Sequence, residues 1–103
     1  MGADTKQVTD RVKTFVGQIS TEYPVIAAYL FGSWAAGTQT SLSDIDIGIV
    51  VPDSVDKDQR FAIYSDARDF DIDFEVVVIP ERDYISEDPL VVHEMKTKGI
   101  RVA

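Results

Sequence analysis

The chain contains no cysteine and only one histidine among its 103 residues. The absence of cysteine excludes disulfide bonds, thiolate catalysis and zinc sites built on thiolates, and it is compatible with a reducing compartment. No hydrophobic run approaches the roughly 20 residues that a membrane-spanning helix requires, and the N-terminus carries no signal-peptide pattern. We therefore expect a cytoplasmic protein without a membrane segment.

Basic residues are also scarce. There are 10 lysines and arginines against 18 aspartates and glutamates, which gives a formal net charge of -8. An acidic surface repels phosphate backbones, so general nucleic-acid binding is not expected, whereas divalent cations and basic proteins would be attracted. With 45% hydrophobic residues, a chain of this length is typical of a single globular domain, here residues 1–103.

Helices and strands are predicted to alternate along the chain. An amphipathic helix is expected over residues 5–22, because apolar residues recur there at helical spacing. Asp88 and Pro89 are expected to begin the last helix, and Gly99 to end it. The further predicted elements are strands at 25–31, 44–51, 70–79 and 100–102, a helical turn at 33–37, and helices at 53–69 and 90–98.

The predicted fold is α/β (α+β), with a small β-sheet and helices packed on one face. The short connection between the strands that end at Phe31 and begin at Asp44 favours a mixed or antiparallel sheet over a purely parallel one.

Two predicted strands place acids opposite their apolar residues, because side chains alternate across a strand. In the strand at 44–51, the isoleucines at 45, 47 and 49 would face the core, and Asp44 and Asp46 would face the other way. If the strand at 70–79 is its neighbour, up to five carboxylates converge, although Asp71 is more typical of an exposed charge. The expected core residues of that strand are Ile72, Phe74, Val76 and Val78, and its expected acids are Asp71, Asp73 and Glu75.

A cluster of carboxylates is costly unless a cation lies among them. Oxygen ligands without histidine or cysteine suit Mg²⁺ or Mn²⁺ better than zinc or copper. Two such ions, held about 3.5–4 Å apart, stabilise the attacking and leaving oxygens of a phosphoryl displacement. The pattern therefore predicts a two-metal site at Asp44 and Asp46.

Gly32 and Ser33 are predicted to form an anion site. A strand that ends at glycine, followed by serine at the start of a helical turn, leaves backbone N–H groups and a hydroxyl free for phosphate oxygens. The segment is neither a Walker loop nor a dinucleotide-binding fingerprint, because it lacks their lysine and glycine spacing.

Gly32-Ser33, ten further residues, and then Asp44-x-Asp46 resemble the signature of the minimal nucleotidyltransferases of the DNA polymerase beta-like superfamily. The resemblance covers nearly the whole chain and implies the nucleotidyltransferase fold. It also implies transfer of a nucleoside monophosphate, with AMP expected, from an NTP such as ATP to a hydroxyl group.

By the same resemblance, Gly32 and Ser33 would hold the β- and γ-phosphates, and Asp44 and Asp46 would coordinate two Mg²⁺ ions. A third carboxylate would bind one metal and help to deprotonate the acceptor. Asp73 and Glu75 both qualify, with a slight preference for Asp73 on residue type.

Short members of this family resemble the antitoxins that pair with HEPN-domain ribonuclease toxins, some of which transfer AMP to a tyrosine of the toxin. The resemblance therefore implies an acceptor on a partner protein. Ala36 stands where the commonest motif has arginine, which would leave the positive charge to Arg60, Arg68 or the partner. For Trp34, packing is favoured over stacking on a nucleobase.

Two alternatives remain open at the level of sequence. One is a catalytically weak or inactive binding module that neutralises or scaffolds a partner. The other is a small-molecule nucleotidyltransferase of the aminoglycoside-modifying kind. The sequence also leaves open the preferred base, the acceptor hydroxyl and self-association into a homo-oligomer.

Overall fold

The computed structural model describes residues 5–32, 34 and 44–103. Of the predicted helical turn at 33–37, all except Trp34 lies outside these residues. The described helices are α1 (Thr5–Ile19), α2 (Lys57–Phe70), α3 (Glu81–Ser86) and α4 (Leu90–Lys98), and the strands are β1 (Ala27–Phe31), β2 (Ile45–Val51), β3 (Phe74–Pro80) and β4 (Ile100–Arg101).

The four strands form one mixed sheet in the order β3-β2-β1-β4. The central strand β1 runs antiparallel to both β2 and β4, whereas β2 and β3 are parallel. The predicted mixed sheet is thereby confirmed. Because β2 and β3 are parallel, their N-terminal ends lie at the same edge of the sheet, and this places the acids of the two strands near each other.

Helix α1 buries the predicted apolar stripe against the sheet. It ends at Ile19, three residues earlier than expected, where the hydroxyls of Ser20 and Thr21 donate to the carbonyls of Val16 and Gln18, each at 2.7 Å. These side-chain bonds satisfy carbonyl groups that another helical turn would otherwise use. The buried stripe consists of Val8, Val12, Phe15, Val16 and Ile19.

Helix α2 begins and ends later than predicted. Asp56 and Gln59 form a reciprocal capping box, in which each side chain accepts a hydrogen bond from the other residue's backbone N–H, at 2.8 and 3.0 Å. This motif sets the start at Lys57 rather than residue 53. The helix continues through Phe70, so the prediction that a strand begins at residue 70 was wrong, and β3 begins at Phe74.

The prediction that Ile72 faces the core was also wrong. Its side chain is 87% exposed, because it lies in the turn before β3, where the alternation of a strand does not apply. Phe74, Val76 and Val78 do face the main core, as expected.

Helices cover both faces of the sheet, so the expectation of helices on one face was wrong. The first face carries the larger core, which contains buried residues of α1 and α2. The second face carries a smaller core, in which Val92 and Met95 of α4 pack with sheet residues. The strands carry buried apolar residues on both faces of the sheet. Each apolar face must pack against another element to be shielded from water. The sheet residues of the second core are Ala27, Tyr29, Val50 and Ile79.

Helix α3 was not predicted, and Asp53 anchors its start by accepting a hydrogen bond from the N–H of Arg82 at 3.1 Å. The range of α4 agrees with the prediction, but its capping does not. Pro89 occupies the N-cap position without a side-chain hydrogen bond, and Asp88 lies before it. Gly99 does follow the helix, and its N–H donates to the carbonyl of Met95 at 3.0 Å. None of the helices within the described ranges is long and apolar enough to cross a membrane.

Candidate active site

Asp46 and Glu75 lie side by side at the edge of the sheet where β2 and β3 begin. The parallel register pairs these two residues directly, and the antiparallel register places Phe31 on the other side of Asp46. Asp46 is half-buried, whereas Glu75 and Asp44 are exposed. Since paired residues of adjacent strands project from the same face, the two carboxylates share one surface, as expected from the alternation of side chains.

The electrostatics of Asp46 are unfavourable for its charged form. Burial raises the pKa of the Asp46 carboxyl above its ordinary value, and the negative charges of Glu75 and then Asp44 raise this pKa further. A cation among these three groups would reverse the effect of the two neighbouring charges. The local field therefore favours a positively charged ligand.

Gly32 directly follows β1 and lies against the carboxylate of Asp46. Its φ of +72° lies in the left-handed region that side chains rarely adopt. A Cβ atom at this position would collide with Oδ2 of Asp46, so only glycine allows the backbone to approach so closely. The turn after β1 is thus in contact with Asp46. Ser33 lies outside the described residues.

Met95 packs against the second face of the sheet beside Asp46. Gly48, two residues after Asp46 on the same face, has no side chain, and a Cβ there would collide with the sulfur of Met95. Helix α4 therefore packs close to the sheet immediately beside Asp46, and Met95 is fully buried. Sequence reasoning missed this packing of Met95 on Gly48, although a lone glycine within an apolar strand is a sign of a close approach by another group.

The other two acids of the β3 region take different positions. Asp73 is exposed in the turn before β3, and its carbonyl accepts a hydrogen bond from the N–H of Ile45 at 2.8 Å. Asp71 forms an ion pair with Arg11 of α1, and its side chain is 8% exposed. The expected convergence of five carboxylates was therefore wrong for Asp71, which is neither an exposed charge nor part of the acidic surface.

The two arginines considered as substitutes for the missing motif arginine both lie on α2, whose buried residues belong to the core on the first face of the sheet. Arg68 lines a groove of about 180 Å³ with Phe61, Tyr64 and Ser65. A second groove, of about 380 Å³, lies between α1 and α2. Neither groove includes Asp44, Asp46 or Glu75.

Trp34 is 8% exposed and belongs to the main core. The preference for a packing role over a stacking role is therefore confirmed. This buried residue anchors the chain two positions after Gly32, next to the glycine turn.

The acidic residues fit a divalent cation by their chemistry. Their oxygens are the ligands that Mg²⁺ and Mn²⁺ prefer, and they share one surface with mutually unfavourable charges. Within residues 5–32, 34 and 44–103, no group of three or more such side chains already converges on one point. Mg²⁺ is commonly held by one or two carboxylates together with water and substrate phosphates, so three converging protein ligands are not required.

The family model described as "Polymerase beta, Nucleotidyltransferase" matches residues 16–103, which include the glycine turn and all the acids above. The chain belongs to this nucleotidyltransferase family. The resemblance inferred from the sequence is thereby confirmed. No curated protein gives a significant match.

Solved structures agree with the nucleotidyltransferase fold. A chain of a toxin–antitoxin complex crystallised with AMP-PNP superposes with a TM-score of 0.64 at 22% identity, over 88% of this chain and 72% of that one. A protein assigned as a nucleotidyltransferase from Sulfolobus solfataricus has a TM-score of 0.59 at 18% identity, over 98% and 87% of the two chains.

A third structure contains a tri-AMPylated HEPN toxin of Shewanella oneidensis in complex with an MNT antitoxin. A chain of this complex superposes with a TM-score of 0.59 at 20% identity, over 96% of the present chain and 71% of the chain in that complex. At these identities the likeness establishes the shared fold.

Proposed function

We propose that this protein transfers AMP from ATP to a hydroxyl group of a partner protein, as the antitoxin of a HEPN–nucleotidyltransferase pair. The family assignment supports nucleotidyl transfer as the chemistry. The proposal depends most on one observation: the left-handed Gly32 turn lies directly against the carboxylate of Asp46, whose register partner is Glu75. In this arrangement the turn that we propose to bind phosphate lies beside the acidic surface, as the reaction requires.

In the proposed reaction the acceptor oxygen attacks the α-phosphorus of ATP. The new P–O bond forms while the bond to the bridging oxygen of pyrophosphate breaks, and pyrophosphate leaves. Backbone N–H groups after Gly32 and the Ser33 hydroxyl bind the β- and γ-phosphates. The proton of the acceptor hydroxyl passes to a carboxylate at the acidic edge of the sheet.

Asp44 and Asp46 would hold Mg²⁺, which neutralises charge on the triphosphate and on the attacking and leaving oxygens. For the third carboxylate we favour Glu75 over Asp73. Glu75 is the register partner of Asp46, and its charge acts on Asp46 more strongly than that of Asp44. Asp73 instead contributes its backbone carbonyl to the edge of β2.

Two of the similar structures support a protein acceptor. One is a toxin–antitoxin complex with AMP-PNP, and the other contains a tri-AMPylated HEPN toxin with its MNT antitoxin. The net charge of -8 favours a partner that presents a basic surface.

Incubation with ATP and Mg²⁺ in the presence of a HEPN-fold toxin tests this function. ATP labelled at the α-phosphorus should leave covalent label on the toxin, whereas ATP labelled at the γ-phosphorus should leave none. The Asp44→Asn/Asp46→Asn variant is the matched control, because it preserves side-chain shape and removes both charges. Label from the γ-position would indicate a kinase, and equal labelling by the double variant would refute the assigned site.

A binding module without turnover is the second candidate, and Ala36 at the position of the motif arginine favours it. Such a protein would inhibit the toxin equally well with and without ATP. The Asp44→Asn/Asp46→Asn variant would inhibit the toxin as well as the wild type does. Inhibition that depends on ATP and is lost in this variant excludes the binding module.

A further inference from the structure

An ion pair between the middle of α1 and the turn before β3 lies close to the acidic edge of the sheet. The guanidinium of Arg11 contacts the carboxylate of Asp71, whose side chain is 8% exposed, while that of Arg11 is 47% exposed. Arg11 also lies over the ring of Phe74, with its central carbon 5.9 Å from the ring centroid. Phe74 is the residue immediately before Glu75, so Arg11 contacts both ends of the turn that leads into β3.

Asp71 organises this turn from within. Its backbone N–H closes α2 by donating to Ala67 at 3.0 Å, and its backbone carbonyl accepts from the N–H of Phe74 at 3.0 Å. Its carboxylate oxygen Oδ1 accepts from the N–H of Asp73 at 2.9 Å. Three hydrogen bonds and one ion pair, all made by Asp71, thus fix the backbone of the turn at residues 71–74.

The fixed turn is bonded to the strand that carries the other acids. The carbonyl of Asp73 accepts the N–H of Ile45 at 2.8 Å. Ile45 lies between Asp44 and Asp46, and this bond begins the register that pairs Asp46 with Glu75. A continuous set of contacts therefore runs from Arg11 through Asp71 and Asp73 to the first residue of β2.

We propose that Arg11 is a positioning residue of the nucleotidyltransferase site. By neutralising Asp71 it holds the turn at 71–74, and through the Asp73–Ile45 hydrogen bond it fixes the separation of Asp46 and Glu75. Arg11 acts through these residues and does not itself contact the nucleotide. This inference rests on the proposed function, because it assigns a purpose to the spacing of the same acids.

The decisive variant is Arg11→Gln, which leaves the carboxylate of Asp71 without its cation. Hydrogen exchange of the Ile45 amide reports the bond to Asp73 directly, and exchange of the Ile26 amide, bonded to Val50 at the other end of β2, reports unrelated parts of the sheet. We expect exchange at Ile45 to accelerate at least about tenfold relative to Ile26. Binding of Mn²⁺ alone, followed by electron paramagnetic resonance, should weaken by about tenfold, as is usual when an outer partner of a metal site is lost.

Lys6→Gln is the matched control on the same helix. It removes an exposed ion pair with Asp10, 3.3 Å long, that touches neither the turn nor the acids. We expect unchanged exchange at Ile45 and unchanged Mn²⁺ affinity. Asp71→Asn is the second test if Arg11→Gln does not fold, because it leaves only a half-exposed arginine without its ion-pair partner. It should also accelerate exchange at Ile45 and weaken Mn²⁺ binding.

Unchanged Ile45 exchange and Mn²⁺ affinity in the folded variants would overturn the positioning role, even if the wild type transfers AMP. The converse outcome is that the variants show faster exchange at Ile45 and weaker Mn²⁺ binding while the wild type transfers no AMP. That result would support the positioning role and refute the proposed function. A wild type that binds no Mn²⁺ would overturn both.

Discussion

The two faces of the sheet use the same strands in opposite ways. On the first face, β2 presents Ile45, Ile47 and Ile49, all at most 3% exposed, against the helices α1 and α2. On the second face, the same strand presents Val50 to a small core, then Gly48 beneath Met95, and finally the half-buried Asp46. One face is continuous apolar packing, and the other changes from a core to an acidic surface within five residues.

This difference indicates a division of labour between the faces. The first face stabilises the fold by burying apolar surface, and it tolerates carboxylates only at its margin, as in the Arg11–Asp71 pair. The second face retains a half-buried acid whose neighbours oppose its charge, an arrangement that is unfavourable for stability. Such groups are common where a protein binds a ligand, because the ligand supplies the missing partner.

The largest expected effect comes from opening the first face. Ile49 is 0% exposed, and Ile49→Ala should lower the free energy of unfolding by about 2–5 kcal/mol, as is typical of cavities in cores. Urea denaturation measures this change. Ile72→Ala is the control, because the side chain of Ile72 is 87% exposed, and its effect should stay within about 0.5 kcal/mol. Equal effects at the two positions would contradict the assignment of the core.

An intermediate effect is expected where the second face meets the glycine turn. Gly32→Ala places a methyl group at a φ of +72° and against Oδ2 of Asp46. We expect a loss of about 1–2 kcal/mol from the backbone conformation alone, together with loss of Mn²⁺ and nucleotide binding.

Gly17→Ala is the matched control for this change. Gly17 lies within α1, and a Cβ atom there has nothing within 4 Å. The same substitution should therefore stabilise the protein by about 0.5–1 kcal/mol. Thermal unfolding of both variants distinguishes the two glycines, and a stabilising Gly32→Ala would contradict the described turn.

The smallest effect concerns the charge of Asp46 itself. Asp46→Asn removes the repulsion from Glu75 and Asp44, so without metal it should raise the melting temperature at neutral pH. Solvent screening keeps this gain below about 1 kcal/mol. Since the folded-state pKa is raised, the wild type gains stability relative to Asp46→Asn as the pH falls through that pKa. Melting curves in EDTA between neutral and acidic pH measure the difference in melting temperature between Asp46→Asn and the wild type. This difference should become smaller on acidification, and an increase would contradict the account.

Local patterns in the sequence predicted the parts of the fold that local physics controls. The stripe of α1 and the range of α4 follow from periodicity, and the strands that carry the acids follow from apolar runs. Helix α3 was missed because none of its six residues is buried, so it has no apolar stripe to detect. The early strand start at residue 70 was wrong because Phe70 packs on Phe15 and Phe74 as the last residue of a helix.

The residues of the candidate site likewise fall into those that local spacing predicts and those that depend on long-range contacts. Gly32, Asp44 and Asp46 were predicted as site residues from their spacing within one segment, and the structure brings Gly32 against Asp46. The choice between Asp73 and Glu75 depends on the register of two strands far apart in sequence, which no local pattern contains.

The Arg11–Asp71 pair and the packing of Met95 on Gly48 are likewise contacts across the fold. Long-range contacts of this kind emerge only from the three-dimensional arrangement, because either partner alone looks like an ordinary surface charge or core residue.

The central claim is that Asp44, Asp46 and the glycine turn together bind a metal–nucleotide complex. The most direct measurement is the melting temperature with Mg²⁺ and AMP-PNP, for the wild type and for Asp44→Asn/Asp46→Asn. A ligand at a hundredfold excess over its Kd adds about 2.7 kcal/mol, which in a domain of this size raises Tm by roughly 10 °C or more. The account predicts this rise in the wild type and none in a folded double variant, whereas no rise in the wild type, or the same rise in both, would contradict it.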